Sequence, residues 1–244
     1  AESYIDRLIN KGYKVAICEQ MEDPKLAKGL VKRDIIRVVT PGTLIDSSLL
    51  DEGANNYICC VYSGREGFGL SFGDITTGEM NVTQLPGGDD SRVMGELGKF
   101  APREIIFNES FLEKKEITSF IREKVSCAAD ILEDDRFGAA SAQLEILRQC
   151  KVRSLTDLGL QDMPVAAASL GGLLSYLRET QRVGLERIQA IHLYSDKQFM
   201  RLDLTARRNL ELTETIRGRE RRGTLLWVLD KTCTSMGKRV RRSY

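Results

Sequence analysis

Between residues 57 and 85, three β-rich runs are separated by two glycine-bearing turns, and this pattern most limits what the chain can fold into. The runs are Tyr57 to Tyr62, Phe68 to Gly73 and Glu79 to Leu85. Between them stand Ser63-Gly64-Arg65-Glu66-Gly67 and Asp74-Ile75-Thr76-Thr77-Gly78. Glycine reaches the positive backbone dihedrals that tight hairpins need, so the runs are expected to form an antiparallel meander.

After the meander the periodicity changes. Asp89 or Asp90 is placed to cap a helix carrying Val93, Leu97 and Phe100, which Pro102 ends. Glu104-Ile105-Ile106-Phe107 reads as a fourth strand. Ser110, with Glu113 three residues on, has the spacing of a capping box at the next helix. Ala140, Leu144 and Leu147 line another helix. Pro164 opens one with Leu170, Leu173, Leu174 and Leu177 on one face. The expected class is α/β: a three-strand antiparallel meander followed by alternating helices and strands.

The flanks read differently. Tyr4, Ile5, Leu8 and Ile9 share a helical face that Gly12 stops, Lys14 to Cys18 reads as a short buried strand, Glu22-Asp23-Pro24 breaks it, and Ile35 to Val39 is a second strand. One helix and two strands do not close a core alone, so residues 1–40 are expected to finish a domain begun elsewhere. Residues 41–53, opening with Pro41-Gly42-Thr43, read as a connection, and 54–187 as the α/β layer. Residues 188–244 read as the helical start of a further domain. There Met200 and Leu202 would close a short strand, Asp203 to Ile216 a charged helix, and Thr224 to Leu229 and Ser235 to Arg242 two helical starts.

A chain of 244 residues is long enough for one to two domains. With 42% hydrophobic and 29% charged residues it has the composition of a soluble globular protein, and no apolar run reaches the length of a membrane span. Six cysteines sit mostly among apolar neighbours without a CxxC pair, which predicts buried thiols and a reducing, cytoplasmic setting. The net charge of +1 is uneven: residues 201–244 hold twelve basic and five acidic side chains, or +7, leaving −6 for the rest. Such asymmetry suggests either a nucleic-acid partner or a solvated helix with acidic neighbours elsewhere.

Catalytic patterns are tested and rejected. Gly237-Lys238 resembles the end of a phosphate-binding loop, but Arg239 follows where a hydroxyl is needed, and Thr232 replaces the first glycine. A nuclease needs several carboxylates converging on a divalent cation. The candidates are Asp74, Asp89, Asp90, Asp130, Asp134 and Asp135. In a ribonuclease-H-like layer the key acid belongs midway along the first strand, where Cys59-Cys60 stand. Asp74 enters a hairpin turn instead. A single histidine, His192, completes neither a metal site nor a nucleophile–base pair. Basic groups at Lys32-Arg33, Arg37 and Arg207-Arg208 are of the kind that neutralises phosphates.

Four stretches in a fixed order carry a resemblance. Tyr4-Ile5-Asp6-Arg7-Leu8 with Val15-Ala16-Ile17-Cys18-Glu19-Gln20 and Asp23-Pro24 comes first, followed by Arg37-Val38-Val39-Thr40-Pro41-Gly42-Thr43. Asp74-Ile75-Thr76-Thr77-Gly78-Glu79 is third. Ala206-Arg207-Arg208-Asn209-Leu210-Glu211, Leu225-Leu226-Trp227-Val228-Leu229-Asp230 and Thr234-Ser235-Met236-Gly237-Lys238-Arg239 complete the set. Together they resemble the end of the mismatch-binding domain, the connector and the start of the core or lever domain of the MutS family, in family order. Val240-Arg241-Arg242-Ser243-Tyr244 departs from the apolar continuation usual in that family.

The resemblance implies a ribonuclease-H-like connector inside a parent protein that binds mismatched double-stranded DNA as a homodimer and hydrolyses ATP with magnesium. It implies no cofactor, metal or catalytic residue here, and a wedge, clamp and ATPase domain outside residues 1–244. Phe111-Leu112-Glu113 matches the family's FxE wedge in letters only. The resemblance also implies a docking surface for a MutL-type partner, for which Gln143 and Arg148 on helix Ala139–Cys150 are the candidates. Arg37 is the DNA-contact candidate, because the family places a basic residue on this strand. The expected role is a non-catalytic scaffold in mismatch repair, without membrane attachment. Two rivals remain: a metal-dependent nuclease on the same layer, and a stand-alone basic DNA-binding module built on the C-terminal +7 stretch.

Overall fold

The computed structural model describes residues 2–23, 29–44, 55–181, 185–188, 190–195, 202, 204–218, 220–234 and 237–238. The chain opens with helix α1 (Glu2–Ile9) and an antiparallel ribbon of β1 (Val15–Gln20) and β2 (Arg33–Val39), in which Val15 faces Val39 and Ile17 faces Arg37. Ile9, Val39 and Leu44 form a small apolar cluster with Ile5, Val15 and Ile17 against it. Tyr4 and Leu8 lie exposed, so only half of the expected helical face is used, and β1 is largely exposed rather than buried. Among the described residues the ribbon and α1 bury only this small cluster, so the apolar face stays thin.

The expected meander is present as β3 (Ile58–Gly64), β4 (Gly67–Asp74) and β5 (Glu79–Pro86), with Gly64 facing Gly67 across the first hairpin and Asp74 facing Glu79 across the second. Helix α2 (Asp90–Phe100) follows and buries Val93 and Leu97. Strand β6 (Glu104–Phe107) pairs parallel to β3. After helix α3 (Lys115–Phe120), strand β7 (Ala128–Ile131) pairs parallel to β6. Helices α4 (Ala139–Cys150) and α5 (Pro164–Gln181) precede β8 (Ala190–Leu193), which pairs parallel to β5. The result is one mixed six-stranded sheet in the order β7-β6-β3-β4-β5-β8.

Strand periodicity distributes two cores. On β3, Ile58 and Cys60 face α5 with Met80, Val82, Ile106, Ile146 and Leu173, while Cys59 and Val61 face α2 and α3 with Phe72, Leu97, Ile105 and Ile117. Covering both faces with helices explains why the strands read as apolar runs rather than as alternating patterns. Helix α5 is buried nearly all round, because it lies between the sheet and α4.

Several expectations need correction. The capping box at Ser110 and Glu113 does not start a helix. Both residues lie inside a 3₁₀ turn, Glu109–Glu113, and α3 begins at Lys115. Asn108, which precedes the turn, uses its side chain to bond the Ser63 backbone, tying the ends of the neighbouring strands β6 and β3 together. On α4 the buried residues are Ala142 and Ile146, whereas Ala140 and Leu144 point to solvent. The charged helix expected from Asp203 to Ile216 is only α6 (Leu204–Asn209), since Glu211 adopts a left-handed φ of 46° and the chain turns. Leu202 is not in a strand, and Met200 lies outside the described residues. Thr224 does cap a short helix, α7 (Leu225–Leu229), by accepting from the Trp227 amide. Of the last expected helix, Gly237 and Lys238 are described and helical.

Candidate interdomain clasp and partner surface

Arg37 is turned toward the α5 end of the sheet layer. Its Nε donates to Gln181 Oε1 at 3.1 Å, and its Nη2 donates to the Thr43 carbonyl at 3.0 Å. Gln181, buried at the end of α5, returns a bond from Nε2 to the Val38 carbonyl at 3.2 Å. The ribbon and α5 are therefore stitched in both directions, and at least two guanidinium donors of the expected DNA-contact residue are engaged within the chain. The neighbouring Lys32 and Arg33 are exposed.

Beyond β2, the residues expected to open a connection form a buried 3₁₀ turn, Pro41–Thr43. Its shape is set locally: the Thr40 amide donates to Thr43 Oγ1 at 2.9 Å, and the two hydroxyls share a bond of 2.8 Å. Glu104, at the start of β6 and 1% exposed, reaches this turn. Its Oε2 accepts from the Gly42 amide at 2.9 Å and from the Thr40 hydroxyl, and its Oε1 accepts from the Tyr176 hydroxyl at 2.5 Å. Burial, together with the adjacent Glu104 carboxyl, holds the Tyr176 hydroxyl protonated well above the usual tyrosine range. From the opposite side, Asn56 Nδ2 donates to the Pro41 and Leu44 carbonyls at 3.2 and 3.5 Å. At the rim, Lys14 pairs with Asp130 and lies 5.1 Å from the Tyr176 ring centroid.

Helix α4 has two contrasting sides. Inward, Arg178 of α5 pairs with Glu145 at 2.6 Å, and Gln149 donates to the Leu185 and Ile188 carbonyls at 2.7 and 3.0 Å. Outward, Gln143 and Arg148 are exposed and flank Leu144, which is 65% exposed. The two sequence-predicted docking residues thus share a solvent face with an apolar side chain between them.

The acids considered for nuclease chemistry are dispersed. Asp74 closes β4 and accepts from the Thr76 amide and hydroxyl and from the Asn56 amide. Asp89 pairs with Arg92 at the head of α2, Asp130 pairs with Lys14, and Asp134 and Asp135 lie in a 3₁₀ turn. Among the described residues no three His, Cys, Asp or Glu side chains converge so as to hold a metal ion. The strand centre holds Cys59 and Cys60, whose thiols burial pushes well above their ordinary range. His192 lies exposed on β8. Nor does the Gly237 segment fit a nucleotide phosphate: the Gly237 amide donates to Thr234 Oγ1 at 3.1 Å, and the Thr232 hydroxyl is bound to Asp230.

The model of MutS domain II matches residues 56–189, more than half of the chain. The chain belongs to the MutS family. The models of MutS domain I and MutS domain III match residues 1–48 and 205–243. The DNA mismatch repair protein MutS of Ruminiclostridium cellulolyticum is 44% identical over 245 residues, and that of Acetivibrio thermocellus is also 44% identical. The MutS of Symbiobacterium thermophilum is 42% identical. Each comparison covers 100% of this chain and 28% of the relative, so the chain spans just over a quarter of the curated MutS sequences it matches.

On this division, Arg37, Thr40 and Gly42 fall in the domain I match, and Glu104, Tyr176 and Gln181 in the domain II match. Sequence reasoning singled out Arg37 and missed the other five. The available signals were an acid immediately before the apolar run Ile105-Ile106-Phe107, and threonines bracketing Pro41-Gly42.

Proposed function

We propose that this chain is a non-catalytic scaffold of a mismatch-repair protein, whose connector docks a MutL-type partner through the outer face of α4. The observation that carries the reading is the exposed trio Gln143, Leu144 and Arg148. A polar hydrogen-bonding group and a cation beside a large exposed apolar side chain suit a modest protein interface. The helix beneath is anchored by Ile146 and the Glu145–Arg178 pair, so it presents these groups from a fixed support.

The relatives' name, DNA mismatch repair protein, supports the pathway. The meander flanked by parallel strands supports a ribonuclease-H-like connector, with residues 1–40, 41–53, 54–187 and 188–244 as domain remnant, linker, connector and lever start. In this reading mismatched DNA binding, ATP hydrolysis with magnesium and homodimer formation belong to the parent protein, acting in the cytoplasm, and this chain supplies no reacting group. A DNA contact by Arg37 is part of this reading as a contact made in the parent protein, beside the bonds its Nε and Nη2 already give to Gln181 and Thr43.

Titrating the chain with the MutL-type partner of the same organism tests the reading. Saturable binding that survives moderate salt is expected. No binding would defeat the claim that this chain carries a docking surface, and magnesium-dependent DNA cleavage would favour the nuclease rival.

A further inference from the structure

We propose that Glu104 is the positioning residue of an interdomain latch: its carboxyl group binds the turn at Thr40–Thr43, so that the ribbon and the connector sheet move as one body. A buried carboxyl group is costly unless donors surround it. The described donors to Glu104 are neutral and come from two sides of a seam. Tyr176 belongs to the connector, whereas Thr40 and the Gly42 amide belong to the segment that ends the ribbon. Undocking the turn would leave one carboxyl oxygen without its two donors inside the sheet layer. Docking and burial therefore depend on each other, which makes the contact cooperative.

Steric fit points the same way. A β-carbon at position 42 would lie 2.8 Å from the Ile58 Cβ and 2.9 Å from the Glu104 Cβ, so the amide reaches the carboxyl only because the residue is glycine. The Thr40 and Thr43 bonds shape the turn before it docks, which lowers the ordering cost. By contrast, the Lys14–Asp130 pair on the same seam is 40% and 45% exposed. A pair so wet is screened and contributes little, so the coupling rests on the buried Glu104 contacts, beside the Arg37–Gln181 bonds, and not on the ion pair. The latch does not depend on the docking role of α4, and failure of either leaves the other standing.

Amide hydrogen exchange on the 244-residue chain tests it. In Glu104→Gln, exchange of the Gly42 and β2 amides is expected to rise at least about tenfold, while the β3, β4 and β5 amides stay protected. Thr40→Val probes the same contact from the ribbon side, without touching the connector, and is expected to expose the same amides. Tyr176→Phe removes one donor and should give a smaller rise. Unchanged β2 exchange in Thr40→Val would overturn the latch, whether or not Glu104→Gln folds. A rise in Glu104→Gln shared equally by β3 to β5 would also overturn it, because Glu104 would then support the whole sheet instead of the seam.

Discussion

Ala142 on α4 and Gly171 on α5 stand in backbone contact: a β-carbon at position 171 would lie 2.3 Å from the Ala142 Cα and 2.4 Å from its Cβ. This close approach decides which face of α4 is buried, and hence which face is left for a partner. Gly171→Ala forces the helices apart and is expected to destabilise the chain by about 1–3 kcal/mol, the usual cost of overpacking. Gly95→Ala on α2, where nothing lies within 4 Å, is expected to shift stability the other way. The gain should be about 0.5–1 kcal/mol, from the helix propensity of alanine over glycine. Urea midpoints of the two variants would read both signs.

The same geometry separates two neighbouring apolar residues on α4. Ile146 is fully buried, and Ile146→Ala is expected to cost about 2–4 kcal/mol through lost burial and the cavity left behind. Leu144 is exposed, so Leu144→Ala should stay within about 0.5 kcal/mol. Equal losses in thermal melts would mean that the face assignment is wrong.

Thiol chemistry gives a third check. Cys18 and Cys233 are exposed, whereas burial raises Cys59 and Cys60 strongly and pushes Cys127 up to about 12. Alkylation of the native chain at mild alkaline pH is expected to mark Cys18 and Cys233 first, and to reach Cys59, Cys60 and Cys127 only on unfolding. An unfolded thiol ionises near 9.0, so above that pH the unfolded chain releases a proton that the folded chain keeps at Cys127. This contribution to stability is intact below pH 9 and falls away toward pH 12, and Cys127→Ala should remove its share of the slope. Mass-resolved labelling and urea melts across that range would measure both effects.

The meander was legible because its two turns are local: Gly64 faces Gly67, and Asp74 faces Glu79, within a few residues. Helix α5 was legible because Pro164 marks its start and leucines its core. Strands β7 and β8 were not, since each is a four-residue strand with only alternate residues half-buried, whereas β6 is equally short but buried throughout and reads as an apolar run. The α4 face was misread for a related reason. Leu144 and Leu147 look like core residues, but the choice is made by Gly171, whose missing side chain admits Ala142. Arg37 stood out through the family resemblance, as a basic residue on a strand expected near DNA, and nothing local foretold its bonds to Gln181 and Thr43. Glu104 escaped notice because its turn partners lie 62 and 64 positions away, and nothing local announces them.

The most direct measurement is the affinity of the MutL-type partner for the unaltered chain and for Gln143→Ala/Arg148→Glu, with thermal midpoints recorded on both. The docking account predicts at least about tenfold weaker binding, near 1.4 kcal/mol, with an unchanged midpoint. Equal affinity for the two chains would contradict it and move the docking surface off α4.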